Sequence, residues 1–437
     1  MAETLAEKII ARAANRKKVC PGEIVTCNVD LAMMHDSGGP RRIKPILERL
    51  HAKVWDADKV VLVSDHYAPA VDAESAAILS LTRKWAVENG IKNFYDQQGI
   101  CHVILPERGH LLPGMFVVGG DSHSPTGGAF GCFMFGVGAT DMASILITGK
   151  TWIKVPNTIR IEITGTPGDD SVIADGVSAK DIILYLCSRL GVGGAEYQVI
   201  EYAGDIISHL SISERMTLTN MTAELGAQTG LIAADETTFN YIRQTGRKQE
   251  RQVRVDNNSA LQSDDDAYFS ATYKVNVAEL VPYVAMPDSP DNAVTIEKVS
   301  GVQIQQAYIG ACTGAKLEDL QMAARVLKNN TVAKGIRLLI APASIQTTAA
   351  AAADGTLKIL TESGAILMPS GCGACAGYGA GILAEGEVCI SSTARNFKGR
   401  MGHPTSKVYL GSPYTVAASA IVGHITDPRK FLNGDRK

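Results

Sequence analysis

Apolar runs that stop abruptly at aspartate and histidine constrain this chain more than any other feature. Lys59–Val63 leads straight into Ser64-Asp65-His66, and Met115–Gly120 into Asp121-Ser122-His123. Gly99–Leu105 is a further run, with His102 inside it. Near-continuous apolar segments of this kind read as strands of a parallel sheet covered on both faces. Helical stretches alternate with them, which predicts α/β architecture. Open parallel sheets gather ligands at the carboxyl ends of their strands, and two of these runs carry their polar residues at that end.

At 437 residues the chain exceeds one ordinary core, so several domains are expected. The texture predicts three α/β domains with mostly parallel sheets, over residues 1–157, 158–290 and 291–437. The middle one should hold helices over Lys180–Arg189 and Met216–Gly226, a polar stretch at 246–266 and a linker punctuated by Pro282, Pro287 and Pro290. In the last, Gln303–Ile309, Ile336–Ile340, Ala365–Met368 and Val388–Ile390 read as strands. Leu317–Leu327 and Thr415–Val422 read as helices.

Composition excludes some functions. The formal charge is −3 with no long basic run, which speaks against nucleic acid as partner. No stretch approaches ~18 uninterrupted apolar residues, so no membrane span is expected. The first residues read as an amphipathic helix without the apolar core of a secretory signal, so the cytoplasm is the expected compartment. Nine cysteines at irregular spacing make a poor disulfide framework.

The most informative spacing is Cys312, in Gly310-Ala311-Cys312-Thr313-Gly314, followed by Cys372 and Cys375 in a glycine-rich loop. Three thiolates can hold three irons of a four-iron cluster, leaving the fourth iron open. On spacing alone a zinc half-site, a redox pair and plain buried thiols stay open, with His403 as a candidate fourth zinc ligand. Asp65-His66, His102 and Asp121-Ser122-His123 form a second group. A carboxylate beside an imidazole raises its pKa and fixes its tautomer, which suits proton delivery near neutral pH. Each pair could equally be a buried structural anchor. Arg395 and Arg400, around a glycine turn, could clamp carboxylates. Glu224 lies one helical turn after Asn220.

Taken together these segments resemble the aconitase superfamily, most closely the compact large subunit of the isopropylmalate isomerase branch. The likeness runs from Thr4 to about Asp427 and is strongest over 119–128, 136–142, 220–227, 310–319, 370–377 and 395–402. The resemblance implies that Cys312, Cys372 and Cys375 hold a [4Fe-4S] cluster. It implies that Asp65 and His66 protonate the leaving hydroxyl of a small di- or tricarboxylic acid. His102, Asp121, His123 and Glu224 would orient the reacting hydroxyl and water. Ser122 and Asn220 would donate supporting hydrogen bonds, and Arg395 and Arg400 would bind substrate carboxylates. In this superfamily a serine on a swivelling fourth domain removes the carbon-bound proton. This chain shows no candidate for that domain, so a separate small subunit is the expected partner.

Four positions depart from the family pattern. Gly314 and Ala394 stand where asparagine is usual, Ala376 replaces a larger apolar residue, and His35 lies where relatives vary. Both missing asparagines would lie near the cluster and cost it hydrogen bonds. The expected activity is that of a 3-isopropylmalate dehydratase-like hydro-lyase. A maleate, citraconate or 2,3-dimethylmalate hydratase is the alternative. From another class, an RNA-binding iron sensor acting in the apo form also stands.

Overall fold

In the computed structural model, residues 2–165, 173–245 and 261–432 are described. The 246–260 part of the expected polar stretch lies outside them. An antiparallel ribbon pairs β1 (Ile24–Asn28) with β7 (Lys150–Lys154). The first large sheet is wholly parallel and contains β2 (Leu31–His35), β3 (Val60–Ser64), β4 (Asn93–Asp96), β5 (Phe116–Gly119) and β6 (Phe133–Gly136). Every residue of β2 and β3 is buried, as a sheet covered on both faces requires. Its spatial order is β4-β3-β2-β5-β6. The chain therefore winds outward from β2 in one direction and returns on the other side at β5. A crevice opens where the winding reverses, at the carboxyl ends of β2 and β5.

A second parallel sheet, in the order β10-β9-β8-β11, holds β8 (Thr158–Thr164), β9 (Val199–Ala203), β10 (Thr229–Ile232) and β11 (Ala271–Asn276). The third sheet, in the order β13-β12-β18-β17-β14-β15-β16, contains β12 (Tyr283–Ala285), β13 (Ala293–Thr295), β14 (Gln306–Ile309), β15 (Arg337–Ile340), β16 (Ile366–Leu367), β17 (Val388–Ser391) and β18 (Lys407–Leu410). Its winding reverses between β14 and β17. The proline-marked stretch expected as a linker thus contributes an antiparallel edge, β12 and β13, to this sheet.

Two other readings are corrected. Gly99–Leu105 is not a strand, because Cys101–Glu107 is a helix buried over most of its length. A short apolar run cannot by itself separate a buried strand from a buried helix. The deciding contact is remote in sequence: the Cys101 N–H donates to the Asp65 carboxylate at 2.7 Å, satisfying the helix's first turn. The helix expected over Met216–Gly226 instead spans Ile212–Met221 and tightens to a 3-10 turn over Thr222–Leu225. Gly226, with φ of 74°, ends it.

One hydrophobic cluster joins Met33, Val61 and Val63 of the first sheet to Ala307, Ile309 and Ile340 of the third. Each fully buried aliphatic side chain contributes about 1.5–3 kcal/mol, so the two sets of strand ends are fixed against one another. Among the described residues no helix is long and apolar enough to cross a membrane.

Candidate active site

The ends of β2, β3 and β5 bring three pieces of sequence together. After β3, His66 Nδ1 lies 2.7 Å from Asp65 Oδ1. After β2, Asp36 accepts from the backbone N–H groups of His66 and Tyr67 at 3.1 and 3.0 Å. His35 stacks on His66 with ring centroids 4.2 Å apart. It is held by the Gly120 carbonyl at 3.0 Å and the Gly38 N–H at 3.2 Å. Burial opposes charge on His66, but Asp65 and Asp36 overcome it and raise His66 well above the ordinary imidazole range. Burial likewise opposes charge on Asp65, and His66 holds it below the usual carboxylate range. Burial, assisted by His66, lowers His35. The stacked pair is therefore asymmetric: the carboxylates favour a proton on His66, and burial disfavours one on His35.

After β5, Asp121 Oδ1 accepts from the His123 backbone N–H at 2.7 Å and sits 2.8 Å from His102 Nε2. His102 reaches it from the helix rather than from a strand end. His123 Nε2 lies 3.1 Å from Glu224 Oε1, which also accepts from Arg395 Nε at 2.6 Å. Arg395 donates onward to Ser122 Oγ at 2.7 Å. Burial disfavours the charged forms of both acids. Bonds from His102 and His123 nevertheless hold Asp121 well below its usual range, and His123 with Arg395 lowers Glu224. One chain of contacts thus runs from His102 through Asp121, His123 and Glu224 to Arg395 and Ser122.

The cysteines arrive from the third sheet. Cys312 follows β14, and Asn220 donates to its Sγ at 3.1 Å while also donating to Thr126 Oγ1 at 2.7 Å. Cys372 follows β16, with its N–H 2.8 Å from the Asp65 carbonyl and its Sγ 3.8 Å from Asp65 Oδ2. Gly371, with φ of 155°, permits that approach, since a Cβ there would lie 2.9 Å from the same carbonyl. Burial raises the thiol pKa values of Cys312 and Cys372; Cys375 and Asp121 add to the first, and Asp65, Cys375 and Cys312 add to the second. Arg400 contacts Cys375, and its guanidinium is pushed up despite burial.

The expected catalytic and carboxylate-binding residues and the cysteines lie along these contacts, whereas His403, weighed as a zinc ligand, bonds Thr405 in its own loop. Reading the sequence missed His35 and Asp36 as parts of the site, although they end an apolar strand as Asp65 and His66 do. It also missed Lys180 and Lys316, buried behind Cys312. Nothing in their local sequence sets them apart from surface lysines. The Gly314 departure has a structural partner: a Cβ there would lie 2.2 Å from Ser392 Oγ. That hydroxyl fills the space and accepts from the Gly310 N–H at 3.0 Å.

Beside Ser122 and Arg395 opens a cavity of about 430 Å³, walled by Val137, Tyr197, Ala223, Ala227 and Gln228. Two compact groups of candidate metal-ligating side chains occur among the described residues, His35-Asp36-Asp65-His66 and His102-Asp121-His123. Each contains imidazoles engaged with carboxylates, an arrangement suited to proton handling.

The aconitase family model, described as aconitate hydratase, matches residues 7–423. The 3-isopropylmalate dehydratase large subunit 1 of Methanopyrus kandleri is 44% identical over 99% of this chain and 100% of its own length. The methanogen homoaconitase large subunit of Methanocaldococcus jannaschii is 42% identical over 97% of this chain and 99% of its own. The 3-isopropylmalate dehydratase large subunit 1 of Pyrococcus furiosus is 42% identical over 98% of this chain and 99% of its own. With a family match across nearly its whole length and its strand ends carrying the expected acid, base and thiol groups, the chain belongs to the aconitase family of hydro-lyases.

Proposed function

We propose that this chain is the cluster-bearing large subunit of a two-subunit hydro-lyase acting on a 2-hydroxy dicarboxylic acid of the isopropylmalate type. The observation that carries the reading is that Cys372 Sγ lies 3.8 Å from Asp65 Oδ2 while Asn220 bridges Cys312 Sγ, at 3.1 Å, to Thr126 in the segment after β5. The donor set fits a [4Fe-4S] cluster. Cys312, Cys372 and Cys375 all lie in glycine-rich segments, with the Asn220 amide against Cys312 and Arg400 against Cys375. Such neighbours tune an iron–sulfur centre. Zinc is disfavoured because His403, its candidate fourth ligand, is exposed and bonds Thr405 within its own loop at 2.9 Å. When bound, the cluster would supply an open iron acting as a Lewis acid toward the substrate hydroxyl.

The protein's own residues divide the remaining work. Asp65 holds His66 by Nδ1, so Nε2 is the nitrogen that carries the proton to the departing hydroxyl. Arg395, fixed by Glu224 and Ser122, and Arg400 bind the substrate carboxylates through charge-assisted hydrogen bonds. Asp121 and Glu224 orient His102 and His123 around the departing or returning water. The carbon-bound proton is left to a group on the small subunit. Val137, Ala223 and Ala227 beside Arg395 and Ser122 favour an apolar substituent over a third carboxylate.

The test is co-expression with the small subunit, followed by assay of 2-isopropylmalate, homoaconitate, maleate, citraconate and 2,3-dimethylmalate. Turnover of isopropylmalate by the pair, and none by this chain alone, is the expected outcome. Full turnover by the isolated chain contradicts the partner. Preference for the tricarboxylic acid contradicts the assigned substrate class.

A further inference from the structure

Charge behind the cysteines is unevenly balanced. Lys316 and Lys180 are both buried there, 4% and 2% exposed. Lys316 Nζ donates to Asp319 at 2.7 Å, to Thr217 Oγ1 at 3.1 Å and to the Cys312 carbonyl at 3.0 Å. It is a paired cation. The three acceptors of Lys180 Nζ are all uncharged: Thr313 Oγ1 at 3.2 Å, the Ser392 carbonyl at 2.8 Å and the Thr393 carbonyl at 2.7 Å. Its sequence neighbour Asp181 does not serve it, accepting instead from the backbone N–H groups of Ser178 and Tyr283, each at 2.9 Å.

Position makes matters worse for Lys180. It stands in the first turn of the helix Ala179–Leu190, the end where the helix dipole repels a cation. An ammonium buried without a counter-ion is strongly disfavoured. Burial and the neighbouring Lys316 pull its pKa down to about 8. The carboxylates it feels through space are Asp181, which takes no hydrogen bond from it, and Asp319, already paired with Lys316. Thr313, one of its acceptors, directly follows Cys312. A thiolate-bound centre at the cysteines, on the far side of Thr313, would supply the missing negative charge. The same ammonium ties the turn after Cys312 to the carbonyls just before Arg395.

We infer, on the strength of the iron–sulfur reading above, that Lys180 is a positioning residue for the cluster. It is a fixed buried cation that offsets the negative charge of the thiolate-bound centre and so sets its reduction potential and its hold on iron. Removing a nearby positive charge disfavours the reduced, more negative cluster, so the potential should fall. Loss of the tie between the two loops should loosen the Cys312 ligand.

Two variants separate charge from shape. Lys180→Gln keeps a hydrogen-bond donor and removes the charge, while Lys180→Met removes both. The full chain, reconstituted anaerobically with iron and sulfide, is titrated potentiometrically with detection by electron paramagnetic resonance. Iron release to a chelator is followed alongside, and circular dichroism checks the fold. Expected are a more negative potential for Lys180→Gln and faster iron loss for both variants. If Lys180→Met fails to load, the glutamine variant decides. A loaded Lys180→Gln protein with wild-type potential and wild-type iron retention overturns the role of the lysine and leaves the cluster reading standing. A wild-type chain that takes up no iron and sulfide overturns both.

Discussion

The strand-tip half of the site and its cysteine half are completed to different degrees. At the ends of β3 and β5, Asp65 pairs with His66, Asp121 with His102, and His123 with Glu224, which also holds Arg395. Around the cysteines, matching is incomplete. Asn220 Oδ1 and Arg400 Nε are buried without a hydrogen-bond partner, and Lys180 faces only neutral acceptors. On the strand-tip side Ser64 Oγ and His102 Nδ1 are also buried without a partner, but each carboxylate there faces an imidazole or a guanidinium. In the proposed reading, a cluster on the cysteine side would bring the negative charge and polarisable atoms that Asn220, Arg400 and Lys180 lack. Metal loss should accordingly abolish chemistry and leave the histidine–carboxylate frame standing.

Cys372→Ser probes the cysteine half most severely. It should lose iron and lower turnover by about 10³-fold or more, since Lewis-acid stabilisation is worth several kcal/mol. Iron analysis and the rate of substrate dehydration check this, and a serine variant with wild-type iron and rate breaks the comparison. His66→Asn probes the other half. Turnover should fall by about 10²–10⁴-fold with iron content unchanged. Joint loss of iron and rate would mean that the halves are not separable.

The boundary between the halves can be tested at Gly314. Asparagine there should collide with Ser392 and destabilise the protein by about 1–3 kcal/mol, read from the denaturation midpoint. Ser392→Gly in the same chain should recover part of the loss. If Gly314→Asn alone is neutral, the filled space beside Ser392 does not explain the departure from the family pattern.

The smallest expected effect is a pH dependence of the metal-free protein. Folding raises His66, so its contribution to stability is complete below its unfolded pKa of about 6.5 and fades as pH rises through the higher folded value. Folding lowers Asp65, so its contribution is complete above about 3.9 and fades as pH falls through the lower folded value. The gap in Tm between wild type and His66→Asn should therefore be widest in mildly acidic solution and narrow in alkali. A gap independent of pH contradicts the pairing.

How much could be read in advance differed by element. The strands ending at Asp65 and Asp121 announce themselves because both faces are buried and their polar residues follow at once. Cys312 is legible for the same reason, since it follows β14 beside the point where the third sheet reverses. The helix Cys101–Glu107 is not legible, because its all-apolar run fits either regular structure and its first turn is satisfied by Asp65, far away in sequence. At the end of β2, His35 and Asp36 carry the same signal as Asp65 and Asp121, but weakly, because only the short run Leu31–Met34 precedes them. Lys180 is least legible: its environment is built from residues 313, 392 and 393, which only the packing of the second and third sheets brings near.

The most direct test of the central claim, that three thiols from one sheet and the acid–base groups of another serve one iron–sulfur centre, is a Mössbauer spectrum of the anaerobically reconstituted, iron-57-enriched chain, with and without substrate. The expected result is a four-iron centre in which one iron site alone changes when the hydroxy acid is added. A spectrum lacking any cubane signal, or four sites all indifferent to substrate, would contradict it.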